Sequence, residues 1–336
     1  MLNKQAYRTD QEPIKLDKID RKILYELDKN CRISNTKLGR IVGRSREAIA
    51  YRIEQLCKQG IIEAFIAFPN PSKFGNHMFK FYFQLNNYTD EREAFLKEIK
   101  ALHNLWWVGI GDGVWDVHGT MFAKNVNEFY DIKNRLLSKY KKLVIKAEYG
   151  ILVKAHAYPR RFLIEEDKEK NKERSYKNFA GEIVYNKLDE IDRKMINSML
   201  RNARISLTEL AKITKSTVDI VRSHLKRLEE KEIILNYKLA VNWPKLGYEY
   251  FKAFIYFKSY SEKEVKSFVE YASQNPNVVY VIFQLSSWDL EIEIAVRNYP
   301  EFNAVMNDFR EKFPELIKSY ESILMIEDCF HSGMLV

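Results

Sequence analysis

Residues 16–85 and 188–257 are two copies of one sequence. The first opens LDKIDRKILYELDKNCRIS and the second LDEIDRKMINSMLRNARIS, aligned without a gap at an offset of 188 − 16 = 172. About 21 of the 70 aligned positions are identical, and most other apolar positions stay apolar. The chain therefore repeats one unit, and any fold must build that unit twice. Duplication of this kind favours two-fold geometry or two related ligands.

Each copy begins with a helical pattern. Ile19, Ile23 and Leu27 recur at helical spacing behind Asp17 and Asp20; Ser34 precedes a short helix carrying Leu38 and Ile41; Gly43-Arg44-Ser45 makes a tight break. Ile49, Ile53 and Leu56 then line one face of a third helix, which Gly60 ends. The second copy repeats this with Ile191, Met195 and Met199, then Leu210 and Ile213, then Val221, Leu225 and Leu228. Ser206 with Glu209 and Ser216 with Asp219 have capping-box spacing. Three short helices with a break before the last form a helix-turn-helix pattern.

The period then changes. Phe79, Phe81, Phe83 and Leu85 alternate with Lys80, Tyr82 and Gln84, as in a half-buried strand. The order that follows is βαββαβ, a ferredoxin-like split unit. The second half matches, its clearest strand alternating Leu290, Ile292, Ile294 and Val296 with Glu291 and Glu293. The expected fold class is α+β, with two winged helix-turn-helix domains (14–63 and 188–236) alternating with two ferredoxin-like domains (75–158 and 247–334). The charge-rich stretch 159–187 reads as a solvated tether.

The chain has 336 residues, 46% of them hydrophobic, enough for real cores. Its net charge of +9 suits a polyanionic partner but does not by itself select nucleic acid. Cys31, Cys57 and Cys329 are odd in number and far apart, which gives no disulfide framework or four-ligand zinc site. A reducing cytoplasm is expected, and no apolar run approaches a membrane span.

The third helices carry the chemistry. If Ile49, Ile53 and Leu56 face inward, then Arg44, Ser45, Arg46, Ala50 and Tyr51 stand at the exposed start of the first. Lys215, Ser216, Thr217, Asp219, Ile220, Ser223 and Arg227 stand on the second, together with Arg222. A helix entering the major groove reads bases with its first two turns, and its free amides favour a phosphate. A basic helix seen alone is more often a solvated face; the same layout in both copies favours the double-stranded DNA reading.

The motif Leu-Asp-x-x-Asp-x-x-Ile/Met, Asn-x-Arg-Ile-Ser and the spaced third helix resembles the winged-helix head of the Lrp/AsnC regulators. The βαββαβ module resembles their ligand-sensing, oligomerising RAM domain. The resemblance covers nearly the whole chain, twice, whereas family members typically carry one unit. It implies a sequence-specific transcriptional regulator in which packed sensing domains make a dimer, here an intramolecular pseudo-dimer or a homodimer of chains. The family's Arg before the third-helix Ile is Arg52 in one copy and His224 in the other, and the Gly after that helix is Gly60 and Glu232. Both departures put the second head's DNA contact in doubt.

The resemblance also implies an effector such as an amino acid near a Gly-x-x-Asp turn: Gly113 and Asp116 in the first copy, Ser286 and Asp289 in the second. An Asp in such a turn commonly caps its own backbone instead. No cofactor and no metal is expected, and no catalytic residue is assigned. A few porphyrin-modifying decarboxylases resemble the same doubled architecture, but their His-bearing segment has no counterpart in HNLWWVGIGDG or NPNVVYVIFQLSS. An architectural protein binding DNA without sequence preference is the other alternative.

Overall fold

The structure, a computed structural model, describes residues 2–6, 12–86, 89–164, 176–200 and 202–331. β1 (Leu2–Ala6) precedes head 1, which comprises α1 (Lys18–Lys29), α2 (Asn35–Val42), α3 (Arg46–Lys58) and the strand β2 (Ile62–Pro69). The first α/β module runs β3 (His77–Leu85), α4 (Thr89–Ala101), β4 (Leu105–Gly113), β5 (Val117–Ala123), α5 (Val126–Lys139) and β6 (Val144–Ala157). After β7 (Lys177–Ala180), head 2 comprises α6 (Glu190–Met199), α7 (Leu207–Thr214), α8 (Val218–Glu230) and β8 (Ile234–Val241). A short α9 (Trp243–Leu246) leads to β9 (Glu249–Phe257), α10 (Glu262–Gln274), β10 (Val278–Leu285), β11 (Leu290–Val296), α11 (Tyr299–Lys312) and β12 (Ile317–His331).

Local chemistry sets the head helices. Asp17, Ser34, Ser45, Ser206 and Thr217 each accept a backbone N–H three residues on, satisfying a donor the helix leaves unpaired. The cap of α8 is thus Thr217, one residue later than the Ser216 expected from spacing. Gly43 and Gly60 take left-handed backbone at the helix ends, and Lys215 and Glu232 do the same at the matching places without being glycine. The turn survives substitution, at the strain of a side chain with positive φ.

The α/β modules do not stand apart. Each has strand order 2-3-1-4, and the last strand of each pairs with the second strand of the other: β6 with β10, and β12 with β4. With β12 also pairing β9, eight antiparallel strands close into a barrel in the order β12-β4-β5-β3-β6-β10-β11-β9. Closure removes sheet edges, and the pairing is that of a pseudo-two-fold axis through one chain. α4 and α5 cover one outer face over Phe79, Phe81 and Phe83, while α10 and α11 cover the other over Phe251, Ile255 and Ile292.

Closure overturns one reading of the alternating strands. Lys80, Tyr82, Glu291 and Glu293, expected on a solvated face, are buried in the barrel interior. The alternation was real; both faces are covered, one by helices and one by the opposing half of the barrel.

The tether expectation also fails in part. Arg160, Arg161 and Leu163 are buried, β7 pairs with β6, and β1 pairs with β12 in the corresponding way. Residues 165–175 of that stretch lie outside the described residues, as do 332–334 at the expected end of the last domain.

Candidate nucleic-acid interface

The two heads touch through reciprocal contacts. β2 and β8 pair antiparallel as a two-stranded sheet of their own. The Cys31 amide donates to Tyr237 O (2.9 Å) and the Ala203 amide to Phe65 O (2.7 Å), so each head binds the other's strand. The Arg32 guanidinium donates to Ala203 O and Ile205 O, and Arg204 donates to Cys31 O (3.0 Å) and Asn35 Oδ1 (2.7 Å). Arg204 is Arg32 plus 172, so the Asn-x-Arg-Ile-Ser motif is a mutual clamp between heads. Sequence reasoning used this motif only for recognition; its duplication was the signal for its role.

The third helices present their first turns to solvent. On α3, Arg44, Ser45, Arg46, Ala50 and Tyr51 are exposed, Tyr51 at 63%. On α8, Lys215, Thr217, Asp219, Ile220, Arg222 and Ser223 are exposed and Ser216 is half-buried. An exposed tyrosine and an exposed isoleucine (Ile220, 43%) on the largely polar outer faces of these helices suit contact with base edges. Arg40 and Lys212, also 172 apart, add an exposed basic residue to the last turn of the preceding helix in each head. Both escaped the sequence reading, although charge kept across the repeat marks them.

Two expected DNA contacts are held elsewhere. The Arg52 guanidinium donates to Asp17 Oδ2 (2.8 Å) and Asp20 Oδ1 (2.7 Å), tying α3 to the start of α1. In head 2, where His224 replaces that arginine, Arg227 reaches the matching Asp192 and His224 Nδ1 lies 2.9 Å from its Oδ1. The exchange explains the departure: Arg227 stands where head 1 has Gln55 and supplies the missing guanidinium. Arg52 and Arg227 therefore serve the heads' own folds. Arg222 stays exposed, paired with its helix neighbour Asp219. Asp189, Asp192 and His224 have metal-ligand chemistry, yet the Arg227 guanidinium lies against this group and already supplies its positive charge.

The expected effector residues are also engaged. Asp116 Oδ2 accepts the Leu85 amide (2.8 Å) and Asp289 Oδ2 the Phe257 amide (2.7 Å), the same bracket in each hairpin. Tyr260 donates to the other oxygen of Asp289, and Ser286 donates to Trp288 O. Gly113 has φ +142°, and a Cβ there would sit 2.6 Å from Ser322 O, so close strand packing requires it. These four residues build the hairpins that bury Trp115 and Trp288. Each aspartate thus holds the end of its module's first strand, 31 or 32 residues away, in place of its own turn.

The barrel interior holds the largest buried charge cluster described. Lys80 pairs with Glu291, Lys252 with Glu291 (3.4 Å) and Glu293 (3.0 Å), and Tyr82 and Gln284 also donate to Glu291. Burial alone would push the Glu291 carboxyl up; Lys252 and Lys80 more than offset this and hold it well below the usual range. Burial pulls the Lys80 ammonium down to about 8 despite Glu291. His118, at the place of Glu291 in the first copy, is kept neutral by burial, and neither ring nitrogen has a hydrogen-bond partner.

A family profile for winged helix-turn-helix DNA-binding domains matches residues 16–63 and 188–234. The HTH-type transcriptional regulator FL11 of Pyrococcus furiosus is 32% identical over 120 residues, 34% of this chain and 76% of that protein. The chain belongs to the Lrp/AsnC family of DNA-binding transcriptional regulators. A second relative from the same organism, the uncharacterised regulator PF1231, is 29% identical over 151 residues, 44% of this chain but 99% of its own length. One Lrp/AsnC unit thus spans less than half of this chain, which carries two. Across its full length the fold is similar to the siroheme decarboxylase NirDL, with a TM-score of 0.61 over 92% of this chain and 91% of that one. At 12% identity this likeness concerns the fold alone.

Among the described residues, no helix is long and apolar enough to cross a membrane.

Proposed function

We propose that this regulator binds its DNA site with both heads as one fixed pair, each reading a different half-site. The reciprocal Arg32 and Arg204 clamp carries this reading, because it joins the heads directly instead of through the central segment. Heads related by a pseudo-two-fold axis meet one face of the duplex with half-sites about one turn, roughly 10 bp, apart. Arg44, Ser45, Arg46 and Tyr51 would read one, with Arg40 on its phosphates. Lys215, Ser216, Thr217, Arg222 and Ser223 would read the other, with Lys212 on its phosphates. The half-sites should differ, since Arg46 faces Val218 and Tyr51 faces Ser223 across the repeat.

Selection of bound sequences from a random pool, followed by titration against scrambled DNA, tests this. An asymmetric two-part site at least about tenfold tighter than scrambled DNA supports it, and equal affinity favours the architectural reading. In the specific complex, affinity should fall steeply with salt through counterion release.

An enzymatic reading has the full-length fold likeness behind it. Less supports it inside the molecule: the barrel cavity is about 80 Å³, against ligand pockets of about 300–1,000 Å³. His103 is exposed on its loop and His118 is sealed in the barrel.

A further inference from the structure

A cavity of about 80 Å³ lies where the barrel meets the paired head strands. Its walls come from the barrel strands, from Phe68 of β2, from Phe179 of β7 and from Trp243 behind β8. Three cations face it: Lys80, Lys252 and Arg160. Hydrogen-bond capacity there is unbalanced towards donors. Lys80 has three N–H donors and one carboxylate partner, Glu291. The Arg160 Nε is buried without a hydrogen-bond partner. Of the wall carboxylates, Glu293 is engaged by Lys252 and Tyr250, and Asp328 accepts the Trp107 indole through its Oδ2. The tryptophan faces that a cationic ligand would seek carry resident cations, Lys252 over Trp107 and Arg160 over Trp243, both 4.8 Å from the ring centre.

We propose that this cavity binds a small organic monocarboxylate, its carboxylate received by Lys80 and Arg160 and its short apolar part by the Trp106 and Ile282 wall. At 10–15 Å³ for each water-sized unit, the volume admits roughly five to eight non-hydrogen atoms. Arg160 also gives the site a route to the DNA. Its backbone amide and guanidinium hold Asp28 at the end of α1, and the guanidinium donates to Leu239 O of β8 (3.1 Å). A ligand that draws on Arg160 therefore pulls on both heads. The effector role rests on the regulator reading, but binding is measured without DNA, so either can fail alone.

Lys80 adds a pH signature. Around it stand Glu291 and Glu293 on β11, Lys252 on β9, Asp328 on β12, neutral His118 on β5 and Tyr82 on its own strand. With its ammonium pulled down to about 8 by burial, the site loses positive charge as pH rises through that value. Carboxylate affinity should fall between about pH 7 and 9.

The test is titration of the full chain, followed by tryptophan fluorescence, since Trp106, Trp107 and Trp243 line the cavity. The probes are pyruvate and isobutyrate, with isobutyramide as the neutral isostere. Saturation by a carboxylate with a Kd of about 1 mM or tighter, and at least about tenfold weaker response to the amide, is expected. Ile282→Phe, which fills the cavity without touching a charge, should abolish the response while retaining the native circular dichroism. No saturable change with either carboxylate up to about 20 mM, or equal response to the amide, overturns the proposal. A response persisting in folded Ile282→Phe overturns the site. If that variant does not fold, the wild-type comparison of carboxylate with amide decides.

Discussion

Head 1 and head 2 solve one problem with different residues. Both must fasten the third helix to the acidic start of the first, which head 1 does with Arg52 and head 2 with Arg227 and His224. Where the repeat works on itself, change in one residue is matched by change in another. On the exposed starts of α3 and α8 no such matching occurs: Arg46 meets Val218, Ala50 meets Arg222 and Tyr51 meets Ser223. The barrel interior diverges in a third way. Lys80 and Lys252 are equivalent, but the acids Glu291 and Glu293 have His118 and Thr120 as their counterparts. Among the described residues, the first module's buried lysine is therefore neutralised by an acid of the second module. That asymmetry makes the two halves complementary rather than interchangeable.

The largest effect should come from breaking this complementarity. Glu291→Gln leaves Lys80 and Lys252 buried with too little negative charge and should lose about 3–5 kcal/mol in denaturant unfolding. His118→Leu, at the same place in the other copy, removes two unpartnered ring nitrogens and should change stability by less than about 1 kcal/mol. Comparable losses would mean the interior acids are not what holds the halves together. Glu291 also sets an acid limit. A carboxylate held low in the folded state contributes stability above its unfolded value, ~4.3, and loses it as pH falls below that. Chemical unfolding at pH 7 and pH 4 should show less stability at pH 4, by a margin that shrinks in Glu291→Gln.

Next in size are the clamps. Arg32→Ala and Arg204→Ala should each lose about 2 kcal/mol, because each strips charged hydrogen bonds from half-buried carbonyls of the other head. Arg227→Ala should lose about 2 kcal/mol, since Asp192 is fully buried, and Arg52→Ala about 1 kcal/mol or less, since Asp17 and Asp20 remain in partial contact with water. Thermal melts rank the pair, and the reverse order would contradict the account of how head 2 compensates. Neither Arg52→Ala nor Arg227→Ala should alter the salt slope of DNA binding, whereas Arg40→Ala should reduce it by about one. The smallest effect is Glu232→Gly, which relieves a positive φ that Gly60 already accommodates in head 1 and should stabilise by about 0.5–1 kcal/mol.

The repeat made the heads legible, and apolar spacing within each half made both βαββαβ modules legible, because spacing and turn residues act locally. It did not make the barrel legible. Lys80 and Glu291 read as solvent-facing because a period of two reports two faces, not what covers them. Only the non-local pairing of β6 with β10 and of β12 with β4 buries both. The candidate DNA surface was legible at Arg44, Arg46 and Tyr51, which stand opposite the apolar stripe of α3. It was misread at Arg52 and Arg227, whose partners lie 32 to 35 residues away on another helix. Asp116 and Asp289 fit a ligand motif by spacing, but a hairpin uses the same carboxylate to hold its neighbouring strand.

The central claim is that the two heads act as one rigid reader, and spacing of the half-sites tests it most directly. Affinity should be measured by titration on the selected site and on versions with about five and about ten base pairs inserted between its halves. The clamp predicts a loss of at least about tenfold with five and no full recovery with ten, because heads joined through Arg32 and Arg204 cannot separate by a further turn. The double variant Arg32→Ala, Arg204→Ala should tolerate the ten-base-pair insertion better than the wild type. Equal affinity of the wild type at every spacing would contradict the account, because it would mean that the heads bind independently.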